Sequence, residues 1–218
     1  FPYTTLFRSS YGLFSASFAI VNTYVGLVFQ AMSKEYYPRI CALSNDKNAF
    51  NSSVNNQIYL VLLILGPLIA IFLTFSDQIL LVLYSDKFVS AGLLMALCMI
   101  GIIFEAPSWC MGYVFLAKGD NKEFLIYETI TKVQKIVTDI VSYLLWGLAG
   151  LGISFIVSYV YYTLQCLFLC KKRYDLILDR RILIMLVVYS IVSFLLIGVY
   201  VYTEMWVRFF VGAVIIIG

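Results

Sequence analysis

Six apolar stretches follow one another along this chain: Gly12 to Met32, Gln57 to Phe75, Ala91 to Leu116, Phe124 to Leu148, Gly152 to Cys170 and Ile182 to Tyr202. Each is close to the length of about 20 residues that a helix needs to cross about 30 Å of hydrocarbon. A backbone inside a bilayer must satisfy its own hydrogen bonds, so serial stretches of this length leave helices as the available answer. The expected fold class is therefore all-α, a polytopic helical membrane protein with six full transmembrane helices. A seventh is expected to begin near Val207 and to be truncated at Gly218.

Composition agrees: 62% of residues are hydrophobic and 12% charged, against roughly 25% charged in a soluble domain. The mean hydropathy is +0.94. The few charges are ordered. Lys34, Arg39 and Lys47 follow the first stretch, Lys118 and Lys122 the third, and Lys171, Lys172, Arg173, Arg180 and Arg181 the fifth. The loops between them hold only Lys87, nothing, and Arg208. Basic residues stay on the cytoplasmic side during insertion, so the first, third and fifth loops are expected there.

Other features exclude functions. With no histidine, imidazole general bases and most zinc sites are ruled out. Cys41, Cys98, Cys110, Cys166 and Cys170 form no CxxC pair, so no metal or disulfide framework is implied, and no cofactor is expected. Residues 1–9, FPYTTLFRS, resemble the translation of a sequencing adapter and are set aside from fold reasoning. With no initiating methionine, the chain is expected to be an internal piece of a longer protein.

The fourth stretch is the least ordinary. Glu128, Lys132, Lys135, Asp139 and Ser142 recur at spacings of four, three, four and three, which places them on one face of a helix. An ionisable group at the bilayer centre costs at least about 2.5 kcal/mol, so this stripe must face a cavity or a partner within the bundle. Glu105 lies 13 residues before Lys118, and Lys135 lies 12 after Glu123. At 1.5 Å per residue both sit about 18 to 20 Å from the cytoplasmic edge, so a Glu105–Lys135 ion pair is expected. Two readings stay open: a structural pair between helices, or charged groups lining a cavity.

Weaker signals remain. Asn22 and Gln30 face either the cavity or a neighbouring helix. Pro67 and Pro107 are expected to bend their helices. Tyr36, Tyr37, Pro38 and Arg39 are expected to form an interfacial anchor at which proline ends the helix, and Gly119 a helix-ending turn.

YGLFSASFAI at Tyr11 to Ile20 and AMSKEYYPRICALSND at Ala31 to Asp46 resemble a helix and its exit in polysaccharide transporters. LYSDKFVSA at Leu83 to Ala91 and SWCMGYVFLAKGDNKEF at Ser108 to Phe124 are similar to segments flanking a later helix in O-antigen flippases. These are Wzx-type members of the multidrug/oligosaccharidyl-lipid/polysaccharide exporter superfamily. The resemblance implies that residues 10–173 form the second lobe of a two-lobed exporter, with 174–218 as additional helices. It implies a non-enzymatic carrier of undecaprenyl-pyrophosphate oligosaccharide in the bacterial inner membrane, with membrane lipid and the missing N-terminal lobe as partners and no nucleic acid. Lys132 and Lys135 would then attract pyrophosphate, with Glu128 and Asn22 as further cavity candidates. Glu105 or Asp139 would exchange a proton or sodium ion. A multidrug or cation antiporter of the same superfamily is the nearest alternative, although two lysines on one stripe count against it. A membrane-embedded enzyme of the same pathway is the other, although no Asp-x-Asp cluster and no large external loop appear.

Overall fold

The computed structural model describes residues 2–202, with side chains placed for residues 11–201. The elements are α1 (Pro2–Ala42), α2 (Lys47–Leu83), a 3-10 turn (Asp86–Ala91), α3 (Gly92–Ala117), α4 (Asn121–Tyr174) and α5 (Arg180–Tyr202). The described residues are all-helical, and five helices are long and apolar enough to cross a membrane. The expected count of six is not matched, because the fourth and fifth stretches lie within the one 54-residue α4. The expected seventh, with Arg208 and Glu204, lies outside the described residues.

Straight, α4 would reach about 80 Å at 1.5 Å per residue, far beyond a bilayer. It is not straight. Gly147 adopts φ 60°, ψ −136°, a conformation open essentially to glycine alone. The chain doubles back there. A first arm, 121–146, and a second, 148–174, are tied by Thr131 to Gln165 (2.9 Å) and Thr138 to Ser158 (3.0 Å). Asp139 meets Ser154 and Glu128 meets Tyr162 across the same seam.

The hub is α3. In its most apolar window 61% of residues are buried, against 17% in α5, because α3 packs against α1, α2, α4 and α5. Close approach comes from small residues: a Cβ on Gly101 would lie 2.3 Å from Phe155, and one on Gly152 would lie 2.6 Å from Leu97. Without a hydrophobic drive between helices in lipid, such fits supply the packing. The opposite face of the first arm presents Ile126, Ile130, Val133, Ile136, Val137 and Ile140 outward.

The three basic loops meet at one end of the bundle. Lys118 donates to the Ser44 carbonyl and lies over the Phe50 ring. Lys47 pairs with Asp175 at 2.8 Å, and Arg173 with Asp120 and Glu123. Asn55 donates to the Ile177 carbonyl and accepts from the Asp179 N–H. At the other end the Tyr200 hydroxyl donates to Asp77. The alternation read from the loops is thus a spatial fact. Gly119, at φ 79°, makes the expected turn, with the Asp120 N–H bonded back to the Phe115 carbonyl at 3.0 Å.

Several local expectations change. Pro38 lies inside α1, which continues to Ala42. Tyr36 is no interfacial ring: it is 0% exposed, its hydroxyl donates to the Cys110 carbonyl at 3.0 Å, and it packs against Trp109 and Tyr113. In α2, the non-helical backbone falls at Phe75, not at Pro67. Asp46 caps α2, accepting from the N–H groups of Asn48 and Ala49.

Candidate functional site

Pro107 lies inside α3 at the level of the site. The helix runs through it from Gly92 to Ala117 without a non-helical residue, so the expected bend is not marked in the backbone. Having no N–H, Pro107 leaves a carbonyl of the preceding turn without its helical donor. The next two carbonyls accept from hydroxyls: Ser108 donates to those of Phe104 and Glu105, and Thr163 of the second arm of α4 donates to that of Phe104. The segment that carries Glu105 is thereby pinned against α4 while its side chain enters a cavity.

That cavity has a volume of about 280 Å³ and lies between α3 and the α4 hairpin. Glu105, Trp109 and Tyr113 come from α3, Glu128, Lys132 and Lys135 from the first arm, and Tyr159 and Tyr162 from the second. Tyr159 donates to Glu105 at 2.9 Å, and Tyr162 donates to Glu128. Trp109 is packed from behind by Phe29, with ring centroids 4.7 Å apart. The arrangement offers two ammonium groups, two carboxyls and an aromatic wall, the means to hold an anionic headgroup.

The stripe divides. Glu128, Lys132 and Lys135 line the cavity, whereas Asp139 lies in a separate recess with Tyr11 and Phe14. Asp139 holds Lys135 through both carboxylate oxygens, at 3.1 and 2.9 Å, and accepts from Ser154. The expected Glu105–Lys135 pair is therefore not formed. One helical turn brings Asp139 to Lys135, while the hydroxyl of Tyr159 reaches Glu105 first. Lys132 meets Glu128 at 3.6 Å, and its side chain is 68% exposed. Ser142 is buried, its carbonyl against Gly150 at the hairpin's turn. Asn22 and Gln30 are exposed on α1 and do not line the cavity. They fall on the outward face of a helix that buries Val21, Val25 and Phe29.

Tyr159 and Tyr162 were not anticipated from the sequence. A signal existed: Ser154, Ser158, Tyr162 and Gln165 recur at spacings of four, four and three, a second polar stripe complementary to the first. Among the described residues, no group of three or more His, Cys, Asp or Glu side chains is placed to hold a metal ion.

An all-helical bundle of helices long and apolar enough to cross a membrane, with a charged cavity between the central helix and a hairpin, defines a polytopic membrane protein. The sequence matches the family described as "Lipid II flippase MurJ" over residues 4–218, and the chain belongs to that family. A solved structure titled "Lipid II flippase MurJ, inward closed conformation" superposes with a TM-score of 0.71 at 18% identity, covering 95% of this chain and 46% of that one. At that identity the likeness speaks for the fold, and this chain spans less than half of the solved protein. No curated protein matches. The resemblance drawn from the motifs thus holds at the level of the superfamily. At the level of family the match is to the lipid II group, and nothing in it singles out the O-antigen type.

Proposed function

We infer that this chain forms one lobe of a flippase for a lipid-linked precursor in the bacterial inner membrane, and that Lys132 and Lys135 receive the precursor's pyrophosphate. The carrying observation is the pair of lysines in one wall of a membrane-embedded cavity whose other walls are Trp109, Tyr113, Tyr159 and Tyr162. Ammonium groups suit a phosphate's charge, and the aromatic rings suit the faces of sugars. The transport breaks no covalent bond, so the chain is read as a carrier and not as an enzyme. Each arm of α4 makes its own crossing, giving six among the described residues. A second lobe completes the cavity, and a proton or sodium ion drives the cycle.

The family's name favours lipid II as cargo over the O-antigen repeat unit suggested by the motifs. Both are carried on polyprenyl pyrophosphate, so the lysines serve either. The test is complementation by the full-length protein in cells depleted of their lipid II flippase, and separately in cells lacking their O-antigen flippase. Rescue of the first assigns lipid II, and rescue of the second assigns O-antigen. In whichever background is rescued, the double variant Lys132→Gln/Lys135→Gln should lose rescue at normal abundance. Full rescue by that variant would sink the pyrophosphate reading.

A further inference from the structure

The three carboxyl groups around the lysines are not equivalent. Glu128 has an ammonium, Lys132 at 3.6 Å, and the Tyr162 hydroxyl. Asp139 has Lys135 at 2.9 Å and the Ser154 hydroxyl. Glu105 has the Tyr159 hydroxyl at 2.9 Å and, among the described residues, enters no ion pair. It is held within α3, beside Pro107, at a depth of about 18 to 20 Å from the basic end. A carboxylate at such depth without a paired cation is costly, and its inexpensive escape is a proton.

Charge counting sharpens the point. Glu105, Glu128 and Asp139 against Lys132 and Lys135 leave this cluster at −1 when all five are ionised. A pyrophosphate brought to the lysines meets a cluster that, with Asp139 holding Lys135 from its separate recess, is already negative on balance. The carboxyl without an ion pair is the one most readily neutralised. Groups facing it are Lys132, Lys135 and Glu128 from the first arm, Tyr159 and Tyr162 from the second, and Trp109 and Tyr113 from its own helix. The Tyr159 hydroxyl and the lysines favour its anion, and a bound pyrophosphate would draw the lysines' field away.

We propose that Glu105 takes up a proton when the pyrophosphate of the cargo binds, making it the proton-coupling carboxyl of the cavity. This deepens the flippase reading and rests on it. Asp139, the other candidate for ion exchange, is excluded from the role because its charge is already neutralised by Lys135. The balance is simple: one proton passes from water to a Glu105 carboxylate oxygen as the anion arrives, and returns to water when the anion leaves.

Proton uptake on binding makes affinity fall as pH rises, by up to about tenfold per pH unit across the titration of one linked group. The experiment is calorimetric titration of the full-length protein in nanodiscs with farnesyl pyrophosphate, in buffers of different ionisation enthalpy. Such a series counts protons taken up. The wild type should take up more protons than Glu105→Gln, which keeps the acceptor for Tyr159 and removes the titration. Glu105→Asp should retain the uptake. The probe's own ionisation is common to all three and cancels. Should Glu105→Gln fail to fold, the infrared difference spectrum of the wild type on adding the probe serves instead. A protonated-carboxyl band should appear and should shift in Glu105→Asp. Binding with the same uptake in wild type and Glu105→Gln, or with no such band, overturns this proposal alone. No binding of the probe by folded wild type overturns the flippase reading and this proposal with it.

Discussion

Replacing Gly147 with alanine isolates the backbone term on which the α4 hairpin depends. Gly147 sits at φ 60°, ψ −136°, and a Cβ built there meets nothing within 4 Å. Crowding therefore contributes nothing, and what remains is the conformational penalty of placing an L-residue in a glycine-only region, about 1–3 kcal/mol. That corresponds to a shift of roughly 5- to 150-fold in the folding equilibrium. Gly26 is the matched control: it lies inside α1, also with open space around a built Cβ. There alanine should stabilise by about 0.5–1 kcal/mol, because glycine is the poorer helix former. The two substitutions are chemically identical and should have opposite signs. Reversible unfolding of the full-length protein in mixed micelles, followed by far-UV circular dichroism, measures both. If Gly147→Ala is as harmless as Gly26→Ala, the hairpin does not turn on this residue's conformation.

Three further outcomes are expected. Lys135→Ala should lower both stability and transport, since it leaves Asp139 without its ammonium, whereas Lys132→Ala, on a 68% exposed side chain, should change stability by less than about 0.5 kcal/mol; thermal unfolding and flipping assays on the same preparations separate the two. Phe155→Ala removes a 2% exposed ring that packs against Gly101, Phe18 and Tyr159 and should cost about 3–5 kcal/mol, visible as a lowered melting temperature. Asp175, held below the usual carboxylate range by its hydrogen bond and ion pair to Lys47, contributes a small, salt-screened stabilisation present above about pH 4 and lost as pH falls through its lowered pKa. Stability scans from pH 7 to pH 3 should show that contribution vanish in Asp175→Asn.

What the sequence made legible was the physics that repeats. Helical periodicity put Glu128, Lys132 and Lys135 on one face, and loop charge brought Lys47, Lys118 and Arg173 to one end of the bundle. What it hid was the competition between near partners. Lys135 had two candidate acids, and the one on its own helix one turn away won over Glu105 on the neighbouring helix. Tyr36 carried the composition of an interfacial anchor, yet tertiary packing drew it under Trp109 and Tyr113. Pro38 looked like a stop, although a proline in the last turn leaves a helix free to run a few residues further. The span count depended on whether a chain reversal interrupts an element. At Gly147 one residue performs it, and no polar loop marks the place.

The seam between the two arms of α4 bears on how such a chain is made. As the first arm leaves the ribosome it carries Glu128, Lys132, Lys135 and Asp139, and an ionisable side chain at the bilayer centre costs at least about 2.5 kcal/mol. The hydroxyls that satisfy two of those carboxylates, on Ser154 and Tyr162, are synthesised only afterwards. The first arm is thus a poor solitary passenger for the insertion machinery, and its own continuation relieves it. The hairpin entering as a pair is therefore the expected unit of insertion.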